Sequence, residues 1–434
     1  MKYKNIKLGE AAEITMGQSP KSTYYNKKGM GIPFIQGVST FEDNYPRIET
    51  YTTEYNKKAQ KGDLLVSVRA PVGRINIANQ TIAIGRGLAD LKVKKGYSKS
   101  YIYYLFKKIG NQLDSIASGT VFSSINKKEL SDLKIRIPEK LNDQCKIADR
   151  LRKLDEGIEI NNQINDNLLE LVYTLFDNII KFSVLYKSTL NDIGTIIGGG
   201  TPSKRINSYW NGEIPWLTPK DLSKSHLTFT SHGSRFITEH GLKESSARLL
   251  PAGTVIFSSR APIGYISIAK NNISTSQGFK SIIPNKGYSS EFIYVLLKRE
   301  TSLIVREANG STFKEMSSKR LKEHVVNIPS KEKAKYFDNS ATSIFKLISK
   351  HENENKILKT LKKELLNKYF WSIKLSFIWL FTAIFSSNAR IFSTTEFWTD
   401  KDGMLISNEF KIDWLSNGWA DPSTSLFRSR IDKA

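Results

Sequence analysis

Two stretches of the chain carry their apolar residues in alternating steps of four and three. In the first, Ile147, Leu151, Leu154, Ile158, Asn161, Asn165, Leu168, Val172, Leu175 and Ile179 form one narrow stripe on a helix. In the second, Ile344, Leu347, His351, Glu354, Leu358, Leu361 and Leu365 repeat the stripe at an offset of 193. The pattern predicts two long helices whose seams meet as a coiled coil. Polar residues interrupt both seams in the same middle layers, Asn161 at the level of Glu354 and Ile158 at that of His351. Such a layer lowers stability but fixes register, so Asn161→Leu is expected to strengthen the pairing or change its register.

Outside these stripes the period shortens to two and the segments become strands. Asp63–Val68 and Arg74–Ala78 flank an Ala70-Pro71-Val72-Gly73 turn, with proline suited to the second position and glycine to the fourth. Val255–Ser258 and Ile266–Ala269 repeat the device around Pro262 and Gly264. Short helices are expected at Ser100–Lys108 and Ser290–Arg299, and closing strands at Lys134–Ile137 and Val325–Ile328. The recurrence is global. Leu8 matches Leu190, Pro20 matches Pro202, and Ile32-Pro33-Phe34 matches Ile214-Pro215-Trp216, all at an offset of 182. After an insertion the offset becomes 191, and Ser67-Val68-Arg69-Ala70-Pro71-Val72-Gly73 meets Ser258-Ser259-Arg260-Ala261-Pro262-Ile263-Gly264. A long-period repeat is an architectural statement. It predicts two mixed α/β modules (1–139 and 187–330) related by a pseudo-twofold axis, two spacer helices (140–186 and 331–370) and a non-repeating tail (371–434). Chain order requires paired helices to run antiparallel with the modules near opposite ends. A helix of about 36 residues spans roughly 54 Å, against about 34 Å per turn of DNA.

Charge then narrows the partners. The chain carries a net +23. The first module contributes +11, the second +9, the helices −2 and +5, and the tail nothing. Basic modules attract polyanions, with DNA, RNA and acidic membranes all eligible. Cys145 is the only cysteine, which excludes an internal disulfide and a cysteine-rich zinc site and fits a reducing, cytoplasmic setting. Met1–Glu10 is charged, unlike a signal peptide, and apolar Leu375–Phe385 is too short to span a bilayer.

In order, the motifs of the second copy are Gly198-Gly199-Gly200-Thr201-Pro202-Ser203, Tyr209-Trp210 and Ile214-Pro215-Trp216-Leu217-Thr218-Pro219-Lys220-Asp221-Leu222. Ser259-Arg260-Ala261-Pro262-Ile263-Gly264, Ser276-Gln277-Gly278-Phe279 and Asn309-Gly310-Ser311-Thr312-Phe313 follow. The first copy shows Gly17-Gln18-Ser19-Pro20, Gly31-Ile32-Pro33-Phe34, Arg69-Ala70-Pro71 and Ser118-Gly119-Thr120. Over residues 5–370 the chain resembles the DNA-specificity subunit of type I restriction–modification enzymes. The resemblance implies two target-recognition domains that each read half of a split DNA site, and helices that set the gap. It implies docking of two modification subunits, which methylate adenine with S-adenosylmethionine, and of restriction subunits. ATP and Mg2+ would likewise belong to partner subunits. This chain would bind no cofactor, perform no chemistry and meet no membrane. Gly85-Arg86-Gly87-Leu88 stands where the second copy has Ser276-Gln277-Gly278-Phe279, so the half-sites are expected to differ. The tail holds five of the seven tryptophans and matches nothing in the repeat. A family-specific extension, a remnant of gene rearrangement and readthrough all fit it.

Phosphate contact needs a cation or N–H donor, and base reading needs a forked donor or an amide. Arg69 and Arg260 precede a rigid Ala-Pro and recur in both copies, which favours a scaffold or phosphate role over base reading. The glycine-rich loops with Gln18, Ser19 and Lys21, and with Thr201, Lys204 and Arg205, are plain turns or phosphate cradles. Arg86 and Gln277 suit guanine and adenine respectively, or are satisfied loop residues; Lys220 and Lys280 complete the candidate set. Tyr24, Tyr25, Tyr209 and Trp210 read as core more than as stacking residues. The chain lacks the Asn-Pro-Pro-Tyr/Phe and Asp-Pro-Pro-Tyr/Phe methyltransferase motifs, a nucleophile elbow and His-Glu-x-x-His. Asp90-Leu91-Lys92 and Asp132-Leu133-Lys134 have the acid-x-lysine form of nucleases, but neither has an obvious upstream acidic partner placed to share a metal. A self-sufficient nuclease or methyltransferase, and an RNA-binding scaffold, are the competing readings.

Overall fold

The computed structural model describes residues 1–118, 124–225, 227–260, 262–308, 314–370, 398–399 and 405–406. The chain divides into one unit of residues 1–373 and a second of 374–434. In the second unit, strands Trp398–Thr399 and Leu405–Ile406 pair antiparallel. The Gly119-Thr120 and Asn309–Phe313 parts of the motifs lie outside the described residues, as do Ala261 and nearly all of the tail.

The first unit is mixed α and β and contains the repeat. In the first module, strands Ala12–Met16, Leu88–Val93, Leu64–Ser67 and Ile75–Ile77 make an antiparallel sheet in that order. A second sheet is mixed, because Ile32–Ile35 runs parallel to Ile82–Ile84. Strand Tyr3–Lys7 pairs with Lys134–Pro138 and closes the module. The second module repeats each part: Thr195–Gly198, Lys280–Ile283, Val255–Ser259 and Ile263–Ala269 form the first sheet, and Trp210–Leu217 runs parallel to Ile273–Thr275. Its first sheet gains a fifth strand, Phe229–Thr230, parallel to Ile263–Ala269. That strand falls within the stretch where the repeat offset grows from 182 to 191. The module helices extend beyond their expected ends, to Lys99–Ser118 and Ser290–Glu307. Apolar spacing continues through Ile109 and Leu113 in one and Ile304 in the other, and all three are buried.

The two long helices run Leu141–Phe182 and Lys331–Tyr369. They pair antiparallel: Arg150 meets Tyr369, Asp155 meets Lys362, Gly157 meets Leu358, Asn161 meets Asn355, and Asn165 meets His351. Each helix is anchored in both module cores. Ile147, Ala148 and Leu151 enter the first core beside Tyr369 of the other helix and Phe370 just past its end. Val172, Phe176 and Ile180 enter the second core beside Ala334, Phe337, Ala341 and Phe345. The Phe176 ring lies 5.1 Å from Phe292 and 5.4 Å from Phe337. Fully burying one such side chain contributes about 1.5–3 kcal/mol, so the modules are fixed to opposite ends of the strut.

The middle of the strut is polar. The Asn161 amide donates to the Asn355 Oδ1 at 3.0 Å, and the Asn355 amide donates to the Asn162 Oδ1 at 2.9 Å. His351 Nδ1 lies 2.8 Å from the Asn165 Oδ1. On the first helix Leu151 is buried, and Leu154, Ile158 and Leu168 are half-buried. The second helix departs from its expected stripe. Between its ends the buried positions are Ala341, Phe345, Ile348, Glu352 and Asn355, whereas Leu347 (39% exposed) and Leu361 (41% exposed) face outward and Glu354 is exposed. Phe337 and Phe345, drawn into the second module, set the rotation of this helix by about one residue. Ile344 and Leu365 are half-buried against the two cores, and Leu358 lies against Gly157.

Candidate nucleic-acid interface

In each module one set of loops converges through the same backbone hydrogen bonds. The Gly17 N–H donates to the Leu88 carbonyl and the Gln18 N–H to the Ile84 carbonyl, both at 2.9 Å. The Gly199 N–H donates to Phe279 at 3.1 Å and the Gly200 N–H to Thr275 at 2.8 Å, the equivalent partners by the repeat offsets. Val68 N–H to Gly87 carbonyl is matched by Ser259 N–H to Gly278 carbonyl, and Ile125 to Val68 by Met316 to Ser259. Inside the turn, the Ser67 hydroxyl donates to the Pro71 carbonyl at 2.6 Å and accepts from the Arg74 N–H at 2.8 Å. Ser258 does the same with Pro262 and Tyr265. The Ala70–Pro71 peptide is cis.

These bonds narrow the cradle expectation, which covered residues 17–21 and 199–205. The glycine-loop N–H groups of residues 17, 18, 199 and 200 already donate to carbonyls of the module's own strands, so they offer nothing to a phosphate. The glycines are needed for close approach instead. A Cβ on Gly17 would stand 2.2 Å from the Gly85 carbonyl oxygen, and one on Gly199 would stand 2.1 Å from that of Ser276. The loops also present side chains outward.

In the first module Gln18, Lys21, Arg69 and Arg86 are exposed and Ser19 is half-buried. The Ser19 hydroxyl accepts the Arg86 N–H at 3.2 Å, and Gln18, Ser19, Arg69 and Arg86 are thereby tied to one loop cluster. Lys21 opens the 3-10 turn Ser22–Tyr24 just beyond it. The cluster includes Gln36, which sequence reading passed over. It is exposed, and its carbonyl accepts the Gly87 N–H at 3.1 Å. The signal was available, because residue 36 follows Ile32-Pro33-Phe34 as Thr218 follows Ile214-Pro215-Trp216.

In the second module Gln277 and Lys220 are exposed and Thr201 is half-buried. The ring of Pro219, which begins the helix bearing Lys220, lies 2.9 Å from where a Gly278 Cβ would stand. Lys204 and Arg205 are exposed on a loop held by Trp210, whose indole N–H donates to the Ser203 carbonyl at 3.0 Å. No side-chain hydrogen bond joins them to Gln277 among the described residues. Arg260 and Lys280, both in the candidate set, are paired with Glu315. Arg260 Nη1 lies 3.6 Å from one carboxylate oxygen and Lys280 Nζ 4.0 Å from the other. Burial pulls the Lys280 ammonium below the usual lysine range, against the opposing pull of Glu315. The aromatics pack internally, Tyr25 stacking on Phe34 at 4.7 Å and Trp210 edge-on to Trp216 at 5.1 Å.

Two further carboxylates are buried. Glu352 of the second long helix is 7% exposed and accepts the Thr228 N–H at 2.7 Å, which pins the added strand to the strut. Burial pushes its carboxyl up to about 7. Asp90, 6% exposed, is pushed up to about 7 by burial and by Asp63. Among the described residues no group of three His, Cys, Asp or Glu could hold a metal ion, and no helix is long and apolar enough to cross a membrane.

The family model described as type I restriction modification DNA specificity domain matches the chain twice, over residues 1–170 and 185–367. The type I restriction enzyme MjaIX specificity subunit of Methanocaldococcus jannaschii is 43% identical over 183 residues, 42% of this chain and 42% of that one. The EcoR124I/EcoR124II specificity subunit of Escherichia coli is 32% identical over 148 residues, 32% of this chain and 36% of that one. The matched segments thus span less than half of these relatives. The crystal structure of a type I restriction–modification S subunit from M. genitalium has the same fold, with a TM-score of 0.56 over 86% of this chain and 97% of that one, at 16% identity.

Proposed function

Because the chain belongs to the family of type I restriction modification DNA specificity domains, we propose that it is the recognition subunit of such an enzyme. It reads a bipartite, asymmetric site on duplex DNA and performs no chemistry itself. It scaffolds two adenine-methylating modification subunits and, with them, restriction subunits. S-adenosylmethionine, ATP and Mg2+ act on those partners, in the cytoplasm.

One observation carries this reading. Two loop clusters with the same internal hydrogen bonds expose different side chains, Gln36 and Arg86 on one and Lys220 and Gln277 on the other. They sit on modules anchored at opposite ends of one strut. A shared frame with unlike side chains suits two unlike half-sites. Arginine pairs with guanine and glutamine with adenine through bidentate bonds in the major groove. The test is a gel-shift series on a duplex carrying both half-sites, with the gap between them lengthened one base pair at a time. Affinity should peak sharply at one gap, and binding indifferent to the gap refutes the strut as a ruler.

A further inference from the structure

Arg69 and Arg260 occupy equivalent places, yet their surroundings differ in one respect. Each forms an isolated β-bridge to a residue beyond the module helix: Arg69 to Ser124, and Arg260 to Glu315. The residues equivalent to Glu315 and Lys280 in the first module are Ser124 and Ala89. Among the described residues the second module therefore holds two cations around one carboxylate, where the first has no carboxylate paired with its arginine. Among the described residues Arg69 has no ion pair, while Arg260 lies 3.6 Å from Glu315. Lys280 is bound further in. Its side chain is 12% exposed, and its ammonium also donates to the Gln277 carbonyl at 3.3 Å.

We propose that Glu315 is a positioning residue that withholds Arg260 from the DNA backbone, so that the two recognition faces grip phosphate unequally. The inference rests on the reading that these loop clusters meet duplex DNA. A carboxylate at this distance competes with a phosphate oxygen for the same guanidinium. Through Lys280 the same carboxylate steadies the loop that carries Gln277. The first face thus combines base reading with an available phosphate anchor. The second relies on the side chains of its loops, and its discrimination between sequences is less diluted by sequence-independent attraction.

The experiment measures the salt dependence of binding of the full chain to a fluorescein-labelled random-sequence duplex of about 40 base pairs, by anisotropy between about 50 and 300 mM NaCl. Each phosphate neutralised contributes about 0.9 to the slope of log affinity against log salt. Glu315→Ser should steepen the slope by about 0.9, as Arg260 is released, and Ser124→Glu should flatten it by about 0.9, as Arg69 is captured. Glu364→Gln, which removes a carboxylate from the second long helix, should leave the slope unchanged. Equal steepening by Glu364→Gln would reduce the effect to bulk charge and overturn the proposal. So would unchanged slopes for Glu315→Ser and Ser124→Glu while Arg69→Ala still flattens the slope, an outcome that leaves the DNA-facing role of the loops intact. If Arg69→Ala and Arg86→Ala also leave the slope untouched, the loops do not meet DNA and the underlying reading fails.

Discussion

The Asn161–Asn355 layer allows a quantitative test of how the strut is held. Asn355 is 4% exposed and Asn161 9% exposed, so neither is freely hydrated. In Asn161→Leu the new side chain gains about 1.5–3 kcal/mol of apolar burial. The change also strands the Asn355 Oδ1, and a buried acceptor without a donor costs about 1–3 kcal/mol. The two terms nearly cancel. The single substitution should therefore leave local stability within about 1 kcal/mol of the parent, contrary to the stabilisation expected from the heptad pattern alone. Asn355→Leu strands the Asn161 amide and should behave likewise. The double variant leaves no buried orphan, because the Asn162 Oδ1 that loses the Asn355 amide belongs to an exposed residue that water can reach, and it should exceed the sum of the singles by about 1–3 kcal/mol. Hydrogen exchange of the segment 155–168 reads this directly as a protection gain of roughly 5- to 150-fold beyond additivity. Additive singles, with Asn161→Leu alone strongly protective, would show that Asn355 recovers its hydrogen bond from water and would refute the argument.

Other consequences follow from close packing and burial. A Cβ on Gly110 would stand 2.5 Å from the Gly73 carbonyl oxygen, so Gly110→Ala should force the module helix off the Ala70–Gly73 turn. The cost should be about 1–3 kcal/mol in urea unfolding of the full chain. The carboxyl of Asp90 is raised to about 7 in the folded chain from an ordinary value near 3.8. Its protonated form is favoured by folding, so the stability it contributes is fully present below about pH 4 and is lost as pH rises through about 7. Three pKa units bound that loss at roughly 4 kcal/mol. Asp90→Asn should flatten the stability profile across this window, and an unchanged slope would refute the assignment.

The repeat made the modules legible because it encodes frame contacts rather than surface. Leu8 N–H to Leu133 carbonyl and Leu190 N–H to His324 carbonyl are the same bond twice, although the accepting side chains share nothing. The first helix's stripe was legible because Leu151 and Val172 are apolar where it is buried. The second helix's was not, because Glu352 and Asn355 occupy buried positions that periodicity assigns to apolar residues. Their partners, Thr228 and Asn161, are 124 and 194 residues away, beyond the reach of any local pattern. The loop clusters were found in part for the same reason. Arg86 and Gln277 stand out as a contrast between copies, but the glycine loops resembled donors until the strands that accept their N–H groups were in place. Glu315 could have been flagged by its opposition to Ser124 across the repeat, since a charge gained in one copy beside a shared arginine alters what that arginine can do.

The strut's length is a physical quantity, and it can be changed. On the first helix the cores are anchored by Leu151 at one end and Val172 at the other. At about 1.5 Å per residue these anchors lie roughly 31 Å apart, close to the roughly 34 Å of one DNA turn. The residues between them make polar pairs and bury little, so added turns there disturb neither core. Seven residues inserted after Ile164, with seven more inserted after His351 on the opposing helix, add two turns. That lengthens the strut by roughly 10.5 Å while rotating each module by only about 20°. At about 3.4 Å per base pair, the gap giving the tightest binding should grow by about three base pairs, with both half-site sequences unchanged. The assay is the gap series repeated with the lengthened chain. If the preferred gap stays where it was, the separation of half-sites is set by bending of DNA or by partner subunits. The helices would then join the modules without measuring anything.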